Sequence, residues 1–114
     1  MKLNIYGKNE DGKKIIVKTY TAETYDLMFG TCEDVAHAVN LDALKTGSDV
    51  EIIKMVGNLV LQSMDTVKDL LKDIFEDITD EELKNTKVTE IAIVLVDVVK
   101  FTIMQLNFGN NAKN

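Results

Sequence analysis

The sequence predicts an α+β fold that is mainly α. An N-terminal β-hairpin over residues 1–20 leads into a bundle of four to five helices over 21–108, all in one domain, with 109–114 as a frayed tail. Three observations predict it. Two short alternating segments flank an Asp-Gly turn near the N-terminus. Apolar residues then recur every three or four positions between Ile53 and Ile78. Ser/Thr capping signals stand just before and just after that stretch. A length of 114 residues suits one domain, and 33 branched aliphatics (10 Ile, 11 Leu, 12 Val) are enough for a core.

In the hairpin, Leu3 and Ile5 share one strand face, and Ile15, Val17 and Thr19 share one face of the second strand. The polar run from Lys8 to Lys13, with Asp11-Gly12, supplies the turn. After Thr21, an N-cap candidate, Ala22, Tyr25, Met28 and Phe29 fall at helical spacing and Gly30 fits a C-terminal stop. A second short helix runs from Thr31 toward Val39 with Val35, Ala36 and Val39 on one side; Asn40 or Thr46-Gly47 closes it.

Ser48-Asp49-Val50-Glu51 reads as a capping box that opens a long helix. Ile53, Val56, Val60, Met64, Val67, Leu71, Ile74 and Ile78 form its stripe, and Gly57 and Ser63-Met64-Asp65 are the expected places for a bend. Thr79-Asp80-Glu81-Glu82 is a second capping box, heading a short helix through Leu83 that Asn85-Thr86 ends. From Val88 to Asn107 the Ile and Val content suits a strand, but Glu90, Asp97, Lys100 and Asn107 fall on one narrow helical stripe. The segment is expected to be a helix buried on nearly every side.

Thirteen lysines, no arginine and nineteen carboxylates leave a net charge of −6, which argues against phosphate recognition and hence against nucleic acid as a partner. The charge is uneven: residues 1–20 carry a local +3, whereas residues 65–82 carry a local −6. A single cysteine, Cys32, forms no internal disulfide and suits a reducing compartment. The amino end lacks the apolar stretch of a signal peptide, and Ile91–Val96 is far shorter than the roughly 20 apolar residues of a membrane span. A cytoplasmic protein without membrane contact is expected.

Little in the chain is equipped for catalysis. Five helical positions separate Cys32 from His37, turning the two side chains about 140° apart. His37 and Glu33 have the i, i+4 spacing of a ligand pair, but no third ligand accompanies them. Neither a cofactor nor an enzymatic activity is expected. The acids of residues 65–82 lie off the apolar stripe, as a solvated face or a landing surface for a basic partner. Met64 and Met104 are expected in the core. Tyr20, Tyr25, Met28 and Phe29 sit where the hairpin meets short helices with little capacity to bury them, which points to a partner.

Ser63-Met64-Asp65-Thr66-Val67 resembles the attachment region of acyl carrier proteins. However, Gln62 stands where that family has an aspartate, and the pattern puts Ser63 inside a long helix where the family places its serine at a helix start. A small acidic regulator, such as an antitoxin or DNA-mimic inhibitor, would use residues 65–82 against a basic surface.

A different family accounts for more of the chain. The hairpin ending in Lys18-Thr19-Tyr20 is followed by Tyr25-Asp26-Leu27-Met28-Phe29-Gly30 and an acidic helix ending in Phe75-Glu76-Asp77-Ile78. The break Thr79-Asp80-Glu81-Glu82-Leu83 and an apolar helix from Val88 complete the order. Over about residues 1–108 this order resembles the tail assembly chaperones of long-tailed, siphovirus-type phages and prophages of Gram-positive bacteria.

The resemblance implies a non-enzymatic protein of the host cytoplasm. It would bind the helical tape measure protein, keep it soluble and help tail tube protein polymerise around it, with a homo-oligomer among its possible states. Many members are also made in an extended form by a −1 frameshift, and Ala112-Lys113-Asn114 can be encoded by the slippery string A AAA AAC. On this reading Tyr25, Met28, Phe29, Leu59 and Leu61 contact the partner, since Leu59 and Leu61 lie off the main stripe.

Overall fold

In a computed structural model, the backbone is described for residues 1–39 and 48–112, and side chains up to residue 105. The proposed helix stop at Asn40 or Thr46-Gly47, the polar side chain of Asn107 and the last two residues of the tail lie outside the described residues. An antiparallel hairpin, β1 (Lys2–Lys8) with β2 (Lys14–Thr21), precedes five α-helices among the described residues. The fold is α+β and mainly α, as expected.

Gly12 makes the hairpin turn at φ 80°, where a side chain would be strained. Leu3 and Ile5 of β1 enter the core, but Ile15, Ile16 and Val17 of β2 are exposed, against the expected half-buried face. Ile5 pairs with Lys18 and Tyr6 with Ile16, so Val17 is an extra residue that breaks the alternation of β2. Gly7 fits this bulge because a Cβ there would stand 2.9 Å from Val17 Cγ1. β1 is also the strand that packs on the last helix, leaving β2 on the outside.

The segment after the hairpin departs from its expected helix. Thr24–Asp26 is a single 3-10 turn, and Leu27 and Met28 are extended, with ψ of 133° and 148°. Leu27 thereby packs against the core while Tyr25, Met28 and Phe29 face outward. Helix α1 (Phe29–Ala38) begins at Phe29, so Gly30 opens a helix rather than stopping one. It buries Thr31, Val35 and, just past its end, Val39.

Ser48 Oγ accepts the Glu51 N–H at 3.3 Å and starts α2 (Asp49–Gln62). The expected long helix breaks at Ser63, whose φ and ψ of −141° and 61° are not helical, and resumes as α3 (Met64–Ile74). Gly57 stays within α2. α2 buries Ile52, Val56 and Leu59, and α3 buries Val67, Leu70, Leu71 and Ile74, leaving Ile53 and Met64 exposed.

Phe75 and Ile78 remain buried in the loop after α3, where Asp77 adopts φ 70°, a left-handed conformation that aspartate tolerates better than most residues. Thr79 and Glu82 form the expected capping box of α4 (Asp80–Lys84). Helix α5 (Val88–Ala112) runs past Asn107 over most of the segment assigned to a tail. It packs against β1, α1 and α2 and buries Val94, Leu95, Val98, Val99 and Thr102. Ile93, Lys100 and Met104 are exposed, so α5 has one broad buried side rather than burial on nearly every side, and Met104 is outside the core. No helix among the described residues is long and apolar enough to cross a membrane.

Candidate functional site

The main candidate is the apolar corner where the hairpin hands over to α1. Tyr25, Met28 and Phe29 are 76%, 71% and 79% exposed there. Three large apolar side chains within five positions form a surface that water solvates poorly. Beside them a groove of 430 Å³ runs between α1 and α5, lined by Leu27, Phe29, Cys32, Ala36 and Phe101 among others. Thr102 also lines it, but its hydroxyl donates to the Val98 carbonyl at 2.8 Å and offers its polarity inward. Between Thr21 and Val39 every charged residue is acidic (Glu23, Asp26, Glu33 and Asp34). An apolar surface on a segment whose charges are all acidic suits an amphipathic segment with basic flanks.

The structure does not bring all five expected contact residues together. Leu59 is only 7% exposed and belongs to the core, which corrects its assignment to a partner surface. With Ile52 and Val56 it forms the buried face of α2, rotated from the expected face of Ile53, Val56 and Val60. Leu61 is 82% exposed, but about 18 Å of helix separates it from Asp49, whose carboxylate is 2.9 Å from Lys100 beside Phe101. It lies at the other end of α2 from the groove. Cys32, Ala36 and Phe101 were not expected at the site. The first two recur from Phe29 at helical spacing, a signal within the sequence, whereas only tertiary packing brings Phe101 alongside.

Cys32 faces the groove toward α5, and His37 lines a separate hollow toward α3 with Asp69 and Leu70, so the two do face different ways. Among the described residues no three His, Cys, Asp or Glu side chains gather as a metal-binding group.

The acid face is solvated: Asp65, Asp69, Asp73, Glu76, Asp77, Asp80 and Glu81 are exposed. Lys72 pairs with Asp80 at 2.6 Å; hydrogen bonding and charge raise the lysine pKa and lower that of the aspartate. Glu82 differs from its neighbours. Its carboxylate accepts from the Tyr20 hydroxyl at 2.6 Å and the Thr79 N–H at 3.1 Å, and lies 3.4 Å from Lys18. The Tyr20 hydrogen bond foremost holds the Glu82 pKa below the ordinary range.

Ser63 is at the start of α3, not inside a helix; its N–H donates to Leu59 at 2.9 Å and its carbonyl accepts from Val67 at 3.0 Å. No protein-family model matches the chain, and no curated protein or solved structure matches it either.

Proposed function

We propose that the protein is a non-enzymatic tail assembly chaperone of a siphovirus-type phage or prophage, acting in the host cytoplasm. It covers apolar stripes of the tape measure protein until tail tube protein polymerises around it. The observation that carries this proposal is the exposed Tyr25, Met28 and Phe29 corner opening onto the α1–α5 groove, a surface shaped to receive an apolar helix face. The order of elements that underlies the family resemblance supports it. The exposed acids of residues 65–82 keep such a complex dispersed by mutual repulsion.

Co-expression with the tape measure protein tests the proposal. Replacing Met28 and Phe29 with serine leaves helix content unchanged, because both side chains are exposed, and abolishes co-purification. Undiminished co-purification refutes the assignment of this surface.

One observation favours a second reading. Ser63 stands at a helix start, where carrier proteins hold their attachment serine, although Gln62 still replaces the expected aspartate. Intact mass after co-expression with a phosphopantetheinyl transferase separates the two: an adduct on Ser63 selects the carrier, and an unmodified chain removes it.

A further inference from the structure

We propose that the hollow between the turn end of the hairpin and the α4–α5 link is a binding site for a small phosphate-class oxyanion. Composition argues against phosphate recognition for the chain as a whole, but the fold gathers four of its thirteen lysines around one cavity. Lys8 and Lys14 come from directly opposed positions of β1 and β2, and Lys84 and Lys87 from the end of α4 and the residue before α5. The Tyr6 N–H donates to the Asn85 carbonyl at 2.8 Å, pinning the second pair of lysines against the strand that carries the first.

Like charges directly across a strand pair are destabilising, and a second pair set beside them adds to the repulsion. A chain with nineteen carboxylates has ample means to neutralise them. Among the described residues none of the four lysines makes an ion pair within 4 Å, unlike Lys18, Lys72 and Lys100, which meet Glu82, Asp80 and Asp49. Lys84 and Lys87 act on Asp80 and Glu90 through space only. Asp80 is engaged by Lys72, and Glu90 by Tyr6 and Asn4. Lys87 Nζ lies 4.7 Å over the Tyr6 ring, held by the π face rather than by a carboxylate. An anion placed in the hollow relieves the repulsion of all four.

Shape and chemistry narrow the anion. The hollow measures 170 Å³, below the roughly 300 Å³ of sites for drug-sized ligands, which suits a group the size of phosphate. The four lysines on its walls carry point charges without the planar fork of arginine. They suit a compact tetrahedral dianion that accepts hydrogen bonds in every direction better than a flat carboxylate.

Titrating the ¹⁵N-labelled full chain with inorganic phosphate, at ionic strength held constant with chloride, tests this. The expected result is a saturable shift of the Gly7, Lys8, Lys14, Asn85 and Lys87 amides, weakened about tenfold in a Lys8→Gln/Lys84→Gln variant, a loss of about 1.4 kcal/mol. All four lysines are exposed, so the variant keeps its fold, which an unchanged spectrum elsewhere verifies. Non-saturating shifts, shifts of equal size around Lys54 and Lys68, or an equal response to citrate at matched charge each overturn the proposal.

Discussion

The Tyr6 hydroxyl donates to the carboxylate of Glu90, tying the middle of β1 to the first turn of α5 across 84 positions of sequence. The Asn4 N–H donates to the other oxygen of the same carboxylate at 3.1 Å. Together with the bond from Tyr6 N–H to Asn85, these contacts cover the outer edge of β1, and a two-stranded sheet gains a fixed place on a helical bundle.

Stability should carry the signature of this contact. Burial opposes the charged form of Glu90, but hydrogen bonds from Tyr6 and Asn4 outweigh it and hold the pKa below its ordinary value of 4.5. The folded state therefore binds fewer protons than the unfolded state as acid is added. The stabilisation is fully present above about pH 4.5 and is lost as pH falls through the lower folded pKa. Glu90→Gln should cost about 1 kcal/mol at pH 7, and its gap from the wild type should close toward pH 3. Urea unfolding at the two pH values checks this; a gap independent of pH contradicts it.

The α4 cap gives a second prediction. Thr79 Oγ1 accepts the Glu82 N–H at 3.1 Å, and the Glu82 carboxylate returns to the Thr79 N–H while also binding Tyr20. Thr79→Ala should lower stability by about 1 kcal/mol, and Thr79→Ser by much less. Equal losses in thermal unfolding would show that the methyl group, not the hydroxyl, matters there.

Leu59 and Leu61 separate burial from exposure within one helix turn. Leu59→Ala should cost about 2–5 kcal/mol by leaving a cavity between α2 and its neighbours, whereas Leu61→Ala should stay within about 0.5 kcal/mol. Denaturant midpoints of the two variants measure the difference. Comparable values would place Leu61 against the core as well.

Local signals located most of the elements. The Asp-Gly turn, the Ser48 and Thr79 caps and the helical spacing of the polar residues in α5 act over a few residues, and each is found where its pattern lies. Longer-range inferences were mixed. The chain breaks at Ser63, an expected place for a bend, and Val56, Val67, Leu71, Ile74 and Ile78 of the expected stripe are buried, but Ile53 and Met64 are exposed and Leu59 is buried in their place. Gly30 matched a stop signal, yet the chain extends through Leu27 and Met28 and starts a helix one residue before it. At the candidate site, Tyr25, Met28 and Phe29 were legible as apolar groups with nowhere to go, but Phe101 was not, because only packing brings α5 beside α1.

By itself the sequence determined the α+β class, the order of hairpin and helices, and the caps, because these depend on periodicity and on hydrogen bonds between near neighbours. Tertiary structure decided which face of each element is buried, since that depends on what packs against it. It set β1 against α5 with β2 outside, turned Leu59 inward, and drew Lys8, Lys14, Lys84 and Lys87 to one hollow. Charge in the sequence is a sum over the chain, and a fold redistributes it in space: a protein of net charge −6 thus carries a local concentration of positive charge.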